Sequence, residues 1–337
     1  MELFNQSSTR FILLSFSDIP YLKVTGFITF LIMYLISLLA NLLLIIVVRI
    51  NPKLKTPMYF FLMNLSVIDI CLSTTVIPKI LQNTLAKDRS VSLLECALQM
   101  HFHLAFGSTE CFILVVMAYD RFAAICRPLH YNTIMSQKMC INLAAASWIS
   151  SFINSFLQVF YTFQMSFCYT HHVNNFFCEV PAFLQISCSD TWLHELSSCI
   201  AAGIIVSLSF LLILISYIHI LSTILKISSS RGRYKALSTC ASHIIVVTFY
   251  YGTIMSLYLR PRSSSSPDID KSISILYSTM TPMLNPIIYS VRNKDVKDVI
   301  RKILVKEVLQ SNIMSQKSYE HVPADMFHGI REKNIFI

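Results

Sequence analysis

Seven apolar runs, each long enough to cross a bilayer, punctuate the chain at residues 24–48, 57–80, 97–126, 139–163, 196–225, 236–259 and 272–291. A helix crossing the hydrocarbon core needs about 20 mostly apolar residues, and it satisfies its own backbone N–H and C=O groups where lipid cannot. The runs therefore predict an all-α membrane protein, a seven-transmembrane helix bundle. Composition agrees, since 54% of the residues are hydrophobic and only 13% charged, too apolar for a soluble domain of 337 residues.

The net charge of +9 does not point to nucleic acid, because the basic residues form no single stripe. They alternate along the chain. The segments joining runs one to two (Arg49, Lys53, Lys55), three to four (Arg127, Lys138) and five to six (Lys226, Arg231, Arg233, Lys235) are basic, whereas no Lys or Arg occurs from Met139 to Leu225, where Glu179, Asp190 and Glu195 stand. By the positive-inside rule the first set is cytoplasmic and the loop between runs four and five lies outside. The expected protein is a multi-pass plasma-membrane protein, N-terminus extracellular and C-terminus cytoplasmic. No removable signal peptide is expected, and the first run serves as the targeting signal. Asn5-Gln6-Ser7 is a glycosylation sequon in the outer tail, whereas Asn64-Leu65-Ser66 falls inside the second run and reads as structural.

Four parts result: an extracellular tail at 1–23, a receptor-sized bundle at 24–291, an amphipathic helix at 292–309 and a disordered tail at 310–337. The third part spaces Val296, Val299, Ile300, Ile303 and Leu304 along one face against Lys294, Lys297, Arg301 and Lys302. That pattern predicts a short eighth helix lying on anionic membrane lipid.

Ten cysteines divide by this topology. Cys71, Cys111, Cys126, Cys140, Cys199 and Cys240 lie in or at the ends of spans and read as packing thiols. Cys96, Cys168, Cys178 and Cys188 lie outside, an even number in an oxidising compartment, and spacing alone allows three pairings. Within the spans Asn41, Asp69, His103, Ser108, Glu110, His219, His243 and Asn285 are polar. A carboxylate at the bilayer centre costs about 2.5 to 3.5 kcal/mol on insertion scales, so such groups face the bundle interior. Asp69 and Glu110 point to a shared proton, a bound cation such as sodium, or protonated packing groups. Near the chain's last run, Pro282 and Pro286 loosen the helix, and Asn285 between them can satisfy a freed carbonyl or bridge to Asp69. His101, His103, His171 and His172 lack the spacing of a zinc site. No phosphate loop, nucleophile elbow or H-E-x-x-H occurs, so no enzyme is expected.

Asp120-Arg121 closing the third span, Asn285-Pro286 with Tyr289 closing the seventh, and Cys96 facing loop cysteines resemble the rhodopsin-like G-protein-coupled receptors. Pro57-Met58-Tyr59-Phe60-Phe61-Leu62, Met117 to Arg121, Ser216-Tyr217, Lys235 to His243 and Pro282 to Tyr289 resemble, in order, the signature runs of vertebrate odorant receptors. The resemblance covers residues 5 to 308. It implies a Cys96 to Cys178 bridge, a Cys168 to Cys188 bridge, and an approach of Asp69, Glu110 and Asn285, with Asn41 completing a sodium site. It also implies that Arg121 faces the G protein when the sixth helix moves outward, having paired with Asp120 at rest, while Tyr217 and Tyr289 swing in.

Three departures stand out: Phe122 in place of tyrosine, Ala40 in place of glycine, and Tyr250-Tyr251-Gly252 in place of Phe-Tyr-Gly. All nearly preserve size, and signalling is expected to survive them. Amine receptors carry an aspartate where this chain has His103, so no amine salt bridge is expected. Helical spacing puts His103, Leu104, Gly107 and Ser108 on one face and Tyr251, Ile254, Met255 and Tyr258 on another, with Ala201 and Ile205 matching on the fifth span. These residues are the candidate lining for a small, mostly apolar volatile odorant. The implied activity is activation of a heterotrimeric G protein with a stimulatory Gα, raising cAMP. A transporter using Asp69 and Glu110 as an ion path is the competing class, and it has no need of Asp120-Arg121. A peptide or lipid receptor is disfavoured by the sixth-span motif.

Overall fold

The structure, a computed structural model, describes residues 10–13, 20–167, 172–184, 186–188, 192–258, 267–292, 296–299 and 301. Among these, seven long helices make a bundle: α1 (Pro20–Ile50), α2 (Pro57–Leu85), α3 (Leu93–Cys126), α5 (Gln137–Thr162), α7 (Trp192–Leu225), α8 (Ser230–Tyr258) and α9 (Pro267–Arg292). Two short helices, α4 (Tyr131–Ile134) and α6 (Val180–Leu184), sit in the connections. Five of the long helices cover their apolar runs whole, whereas α5 and α8 end one residue short, at Thr162 and Tyr258, and each of the seven extends beyond its run at one end or both. Backbone hydrogen bonding continues for a turn or so into polar sequence once a helix is nucleated.

Local signals explain the starts. Pro57 occupies the first turn of α2, where its missing N–H is no loss, and a 3-10 turn at Pro52–Leu54 makes the preceding connection tight. At α3 the Ser92 hydroxyl accepts from the Glu95 amide at 3.3 Å while the Glu95 carboxylate accepts from the Ser92 amide at 2.9 Å. This reciprocal cap satisfies two donors that a helix start otherwise leaves open.

Five of the long helices, α1, α2, α3, α5 and α7, are apolar enough to cross a membrane by composition, and α8 makes a sixth when its two segments, bent by 40° between Ser238 and Cys240, count as one. The seventh, α9, is 26 residues long but more polar, and the reason lies in where its polar groups go. Ser274, Ser278, Thr279, Thr281 and Asn285 are all buried, facing the bundle instead of lipid. By contrast α1 and α7 turn rows of Leu and Ile outward, as lipid-facing helices do.

The main core gathers Leu62, Leu65, Ile68, Ile113, Leu114, Met117, Ile220, Val246, Tyr250 and Tyr289 between the helices. A second core closes one end of the bundle. There β1 (Arg10–Leu13) runs between β2 (Ser90–Ser92), which it pairs antiparallel, and β3 (His172–Val173), which it pairs parallel. Phe11 and Leu13 point inward from this sheet and pack with Val91, Val173, Val180 and Phe183. The disulfide Cys96–Cys178 fastens the loop carrying α6 to the start of α3. Cys188 is also disulfide-bonded, while Cys168, its implied partner, lies outside the described residues, as does Asn5. Outside the sheet's inner face, hydrogen bonds from Ser90 and the nearby Arg10 hold the exposed Asp88 carboxyl below its usual range.

The expected tail at 1–23 is thus not all tail, because residues 10–13 form a strand and α1 begins at residue 20. A helical turn at 296–299 falls within the expected amphipathic helix, with Val296 buried and Val299 against the main core. Most of 292–309 and all of 310–337 lie outside the described residues.

Candidate functional site

Midway along the bundle, α9 is held to its neighbours by polar side chains. The Asn285 amide donates to an Asp69 carboxylate oxygen at 3.1 Å and to a Glu110 oxygen at 3.0 Å, joining α9 to α2 and α3. Asn41 from α1 donates to the Pro282 carbonyl at 2.9 Å. That carbonyl lost its helical donor because Pro286, four residues on, has no N–H. The proline pair therefore creates an acceptor, and Asn41, not Asn285, fills it. Three further buried oxygens, Asp69 Oδ2, Glu110 Oε2 and Asn41 Oδ1, have no hydrogen-bond partner among the described residues.

Toward the disulfide end, His103 is buried on α3, its Nε2 lying 3.0 Å from the Ser278 hydroxyl and 3.1 Å from the Tyr277 hydroxyl. Phe177, next to the bridged Cys178, packs 5.1 Å from the His103 ring. Gly107, one turn further along α3, faces the same place: a Cβ there would sit 3.1 Å from the Tyr277 oxygen. Tyr250 and Tyr251 come from α8, donating to the Gly107 carbonyl at 2.8 Å and the Cys111 carbonyl at 3.4 Å. Ile254 is buried, and Ile205 and Met255 pack against the main core. Leu104 turns to the second core instead. Ser108 and Ala201 are half-buried, and the Tyr258 side chain lies outside the described residues.

Two grooves open elsewhere. One of about 400 Å³ lies between α1 and α9, lined by Leu22, Phe30, Met33, Ile275 and Met280 among others. The other, of about 480 Å³, is lined by Cys126, Arg127, Leu129, His130 and Ile134. Neither touches the residues expected to hold a ligand.

At the opposite end, Arg121 pairs with its neighbour Asp120, whose side chain is fully buried. The other Asp120 oxygen accepts from the Tyr131 hydroxyl at 2.7 Å, so α4 is docked on the same carboxylate. Burial, with the Asp120 charge beside it, holds the Tyr131 phenol above the usual tyrosine range and keeps it a donor. Tyr217 and Tyr289 are not on Arg121. The Tyr217 hydroxyl lies 2.7 Å from His243 Nδ1, and the Tyr289 hydroxyl is buried without a partner among the described residues.

Sequence reading missed Phe177, Tyr277, Ser278 and Tyr131 as neighbours of these groups. Tyr277 and Ser278 were legible as polar residues within a span, one turn before the first proline. Phe177 and Tyr131 lie in connections, where no periodicity marks an inward side chain.

A bundle of long apolar helices with a carboxylate pair at its middle, a disulfide-tethered cap at one end and an Asp-Arg pair at the other defines a multi-pass membrane protein of the seven-helix receptor class. The family model described as olfactory receptor matches residues 30–307. Human olfactory receptor 2B2 is 46% identical over 308 residues, covering 91% of this chain and 86% of its own length. Human olfactory receptor 5A1 is 46% identical over 307 residues, 91% of this chain and 98% of its own, and rat olfactory receptor 1f45 is 44% identical over 305 residues, 90% and 97%. The chain belongs to the olfactory receptor family, whose members are receptors and not enzymes.

Proposed function

We propose that this chain is an odorant receptor that binds a small, mostly apolar volatile molecule beneath the cap and activates a stimulatory heterotrimeric G protein, raising cAMP. Membership of the olfactory receptor family across most of the chain carries this reading. The buried cluster of His103, Tyr277 and Ser278 supports it, because it offers a few fixed polar groups among apolar walls, as small-molecule sites do. The disulfide end faces outward and the Asp120 end faces the cytoplasm, in keeping with the alternation of basic segments. Asn5 carries a glycan, and the basic segment that follows α9 meets the anionic lipid of the inner leaflet.

Ligand is held between α3, α7, α8 and α9, and favours the state in which α8 has moved away from α3. It shifts that equilibrium only by its greater affinity for the moved state. Arg121 then leaves Asp120 for the G protein. Tyr217 leaves His243, and with Tyr289 it turns toward the space that α8 vacates.

The middle of the bundle holds a sodium ion. Asp69 Oδ2, Glu110 Oε2 and Asn41 Oδ1 are buried and unpartnered, a set of hard oxygen donors of the kind that alkali and alkaline-earth cations take. Sodium should raise the melting temperature of the purified receptor, and both Asp69→Asn and Glu110→Gln should abolish that dependence. A wild-type melting temperature indifferent to sodium points to a shared proton instead, and a sodium effect that persists in both variants puts the ion elsewhere.

The receptor reading is tested in cells carrying a surface-tagged chain and a cAMP reporter, screened against a broad odorant panel. Dose-dependent responses that vanish with Arg121→Ala are expected. A chain that reaches the surface yet is silent to the panel and shows no basal signal refutes it, and ion flux abolished by Asp69→Asn would install a transporter in its place.

A further inference from the structure

Three side chains of α8 reach across to backbone carbonyls of α3. Tyr250 donates to Gly107 O at 2.8 Å, Tyr251 to Cys111 O at 3.4 Å and His243, through Nε2, to Leu114 O at 3.1 Å. The acceptors fall at i, i+4 and i+7, which is one face of α3. Each of these carbonyls already accepts a bond along its own helix, and a carbonyl oxygen has two lone pairs. The second lone pairs form a row of sites on which α8 is hung.

The row joins both functional ends. At Leu114, the carbonyl makes His243 Nε2 the donor, so Nδ1 is left to accept from the Tyr217 hydroxyl. At Gly107, Tyr250 shares its place with Tyr277, whose hydroxyl is also on His103. The Tyr250 ring is fully buried and its centre lies 6.5 Å from that of Tyr277. The Tyr250 oxygen also touches Cys111 Sγ at 3.4 Å, a second contact with α3.

We propose that the Tyr250 hydroxyl is a positioning group that clasps α8 to α3 in the resting receptor and so sets the threshold at which ligand releases the helix. The inference rests on the receptor reading above. Removing the hydroxyl leaves no backbone orphan, because Gly107 O keeps its own helical bond, the Cys111 thiol loses only a weak contact, and phenylalanine keeps the ring's shape. Folding is therefore spared while the clasp is weakened. A net neutral hydrogen bond of about 1 kcal/mol corresponds to about a fivefold change in an equilibrium.

Two measurements on Tyr250→Phe decide the matter. Basal cAMP per surface receptor should rise about fivefold, and the ligand concentration for half-response should fall. Thr253→Val is the control, since among the described residues the Thr253 hydroxyl bonds only carbonyls of its own helix, at Phe249 and Tyr250; it should leave basal output unchanged. Basal output that is unchanged or lower in Tyr250→Phe at matched surface level, or an equal rise in Thr253→Val, overturns the clasp. Spin labels placed by unnatural amino acids at Arg127 and Arg231 read the separation of α3 and α8 in purified receptor without any G protein. Tyr250→Phe should shift that distribution to longer distances, and an unshifted distribution refutes the proposal. If wild type gives no cAMP at all, the receptor reading fails, whereas the distance measurement still judges the clasp.

Discussion

Gly107 has no side chain, and its neighbours use the space. A methyl group there would meet the Tyr277 hydroxyl at 3.1 Å, and that hydroxyl is one of the two groups on His103. Gly107→Ala should therefore push Tyr277 aside, weaken the polar cluster by roughly one hydrogen bond of about 1 kcal/mol, and raise the odorant concentration for half-response several-fold. Surface expression should hold, because alanine suits a helix better than glycine by about 1 kcal/mol. An unchanged dose-response curve would show that the cluster takes no part in ligand binding. At this scale the sequence was legible by type and not by partner. Asp69, Glu110, Asn285 and His103 stood out because polar groups in apolar runs must face inward. Which carbonyl each would meet depends on helix rotation, and so Asn285 rather than Asn41 was a natural choice for the carbonyl freed by Pro286. Tyr250 teaches the same lesson. Judged by size it is a mild departure from phenylalanine, yet its one added oxygen bonds across to α3.

Among the elements, the helices were legible almost to the residue where chemistry marks a start, as at Pro57. They were less so where a helix simply runs on, as α2 does from residue 80 to Leu85. Of the cap, the Cys96–Cys178 bridge was implied by the resemblance and is present, but its strands were not legible. Residues 10–13 are a strand only because β2 and β3, far away in the chain, offer it partners, and four residues of mixed polarity show no period of their own. Phe11 is fully buried there, its ring 4.8 Å from Phe183 and 5.7 Å from Phe167. Phe11→Ala should cost the cap about 3 to 5 kcal/mol, seen as lower surface expression and a lower melting temperature. Cys178→Ser removes the Cys96–Cys178 bridge, which typically costs 2 to about 5 kcal/mol, and should reduce surface receptor to a similar degree. If either variant melts and traffics like wild type, the cap is an ornament and not a fastening.

For the molecule as a whole, lipid did most of the specifying. Because a bilayer admits so few backbone solutions, counting apolar runs was enough to reach the helix bundle, and α9 fell short of the others in apolarity only because its polar face is turned inward. The cap lacks that external template and has to be assembled from distant parts. Strand β1 ends at Leu13, but β3, its parallel partner, lies at His172–Val173. A ribosome adding 5 to about 20 residues per second needs roughly ten to thirty seconds to make the intervening chain. Throughout that interval Phe11 and Leu13 have no third strand to cover them, and Cys96 has no partner until residue 178 emerges. The newborn chain must therefore wait, with its first strand unsheltered, for its own middle to arrive.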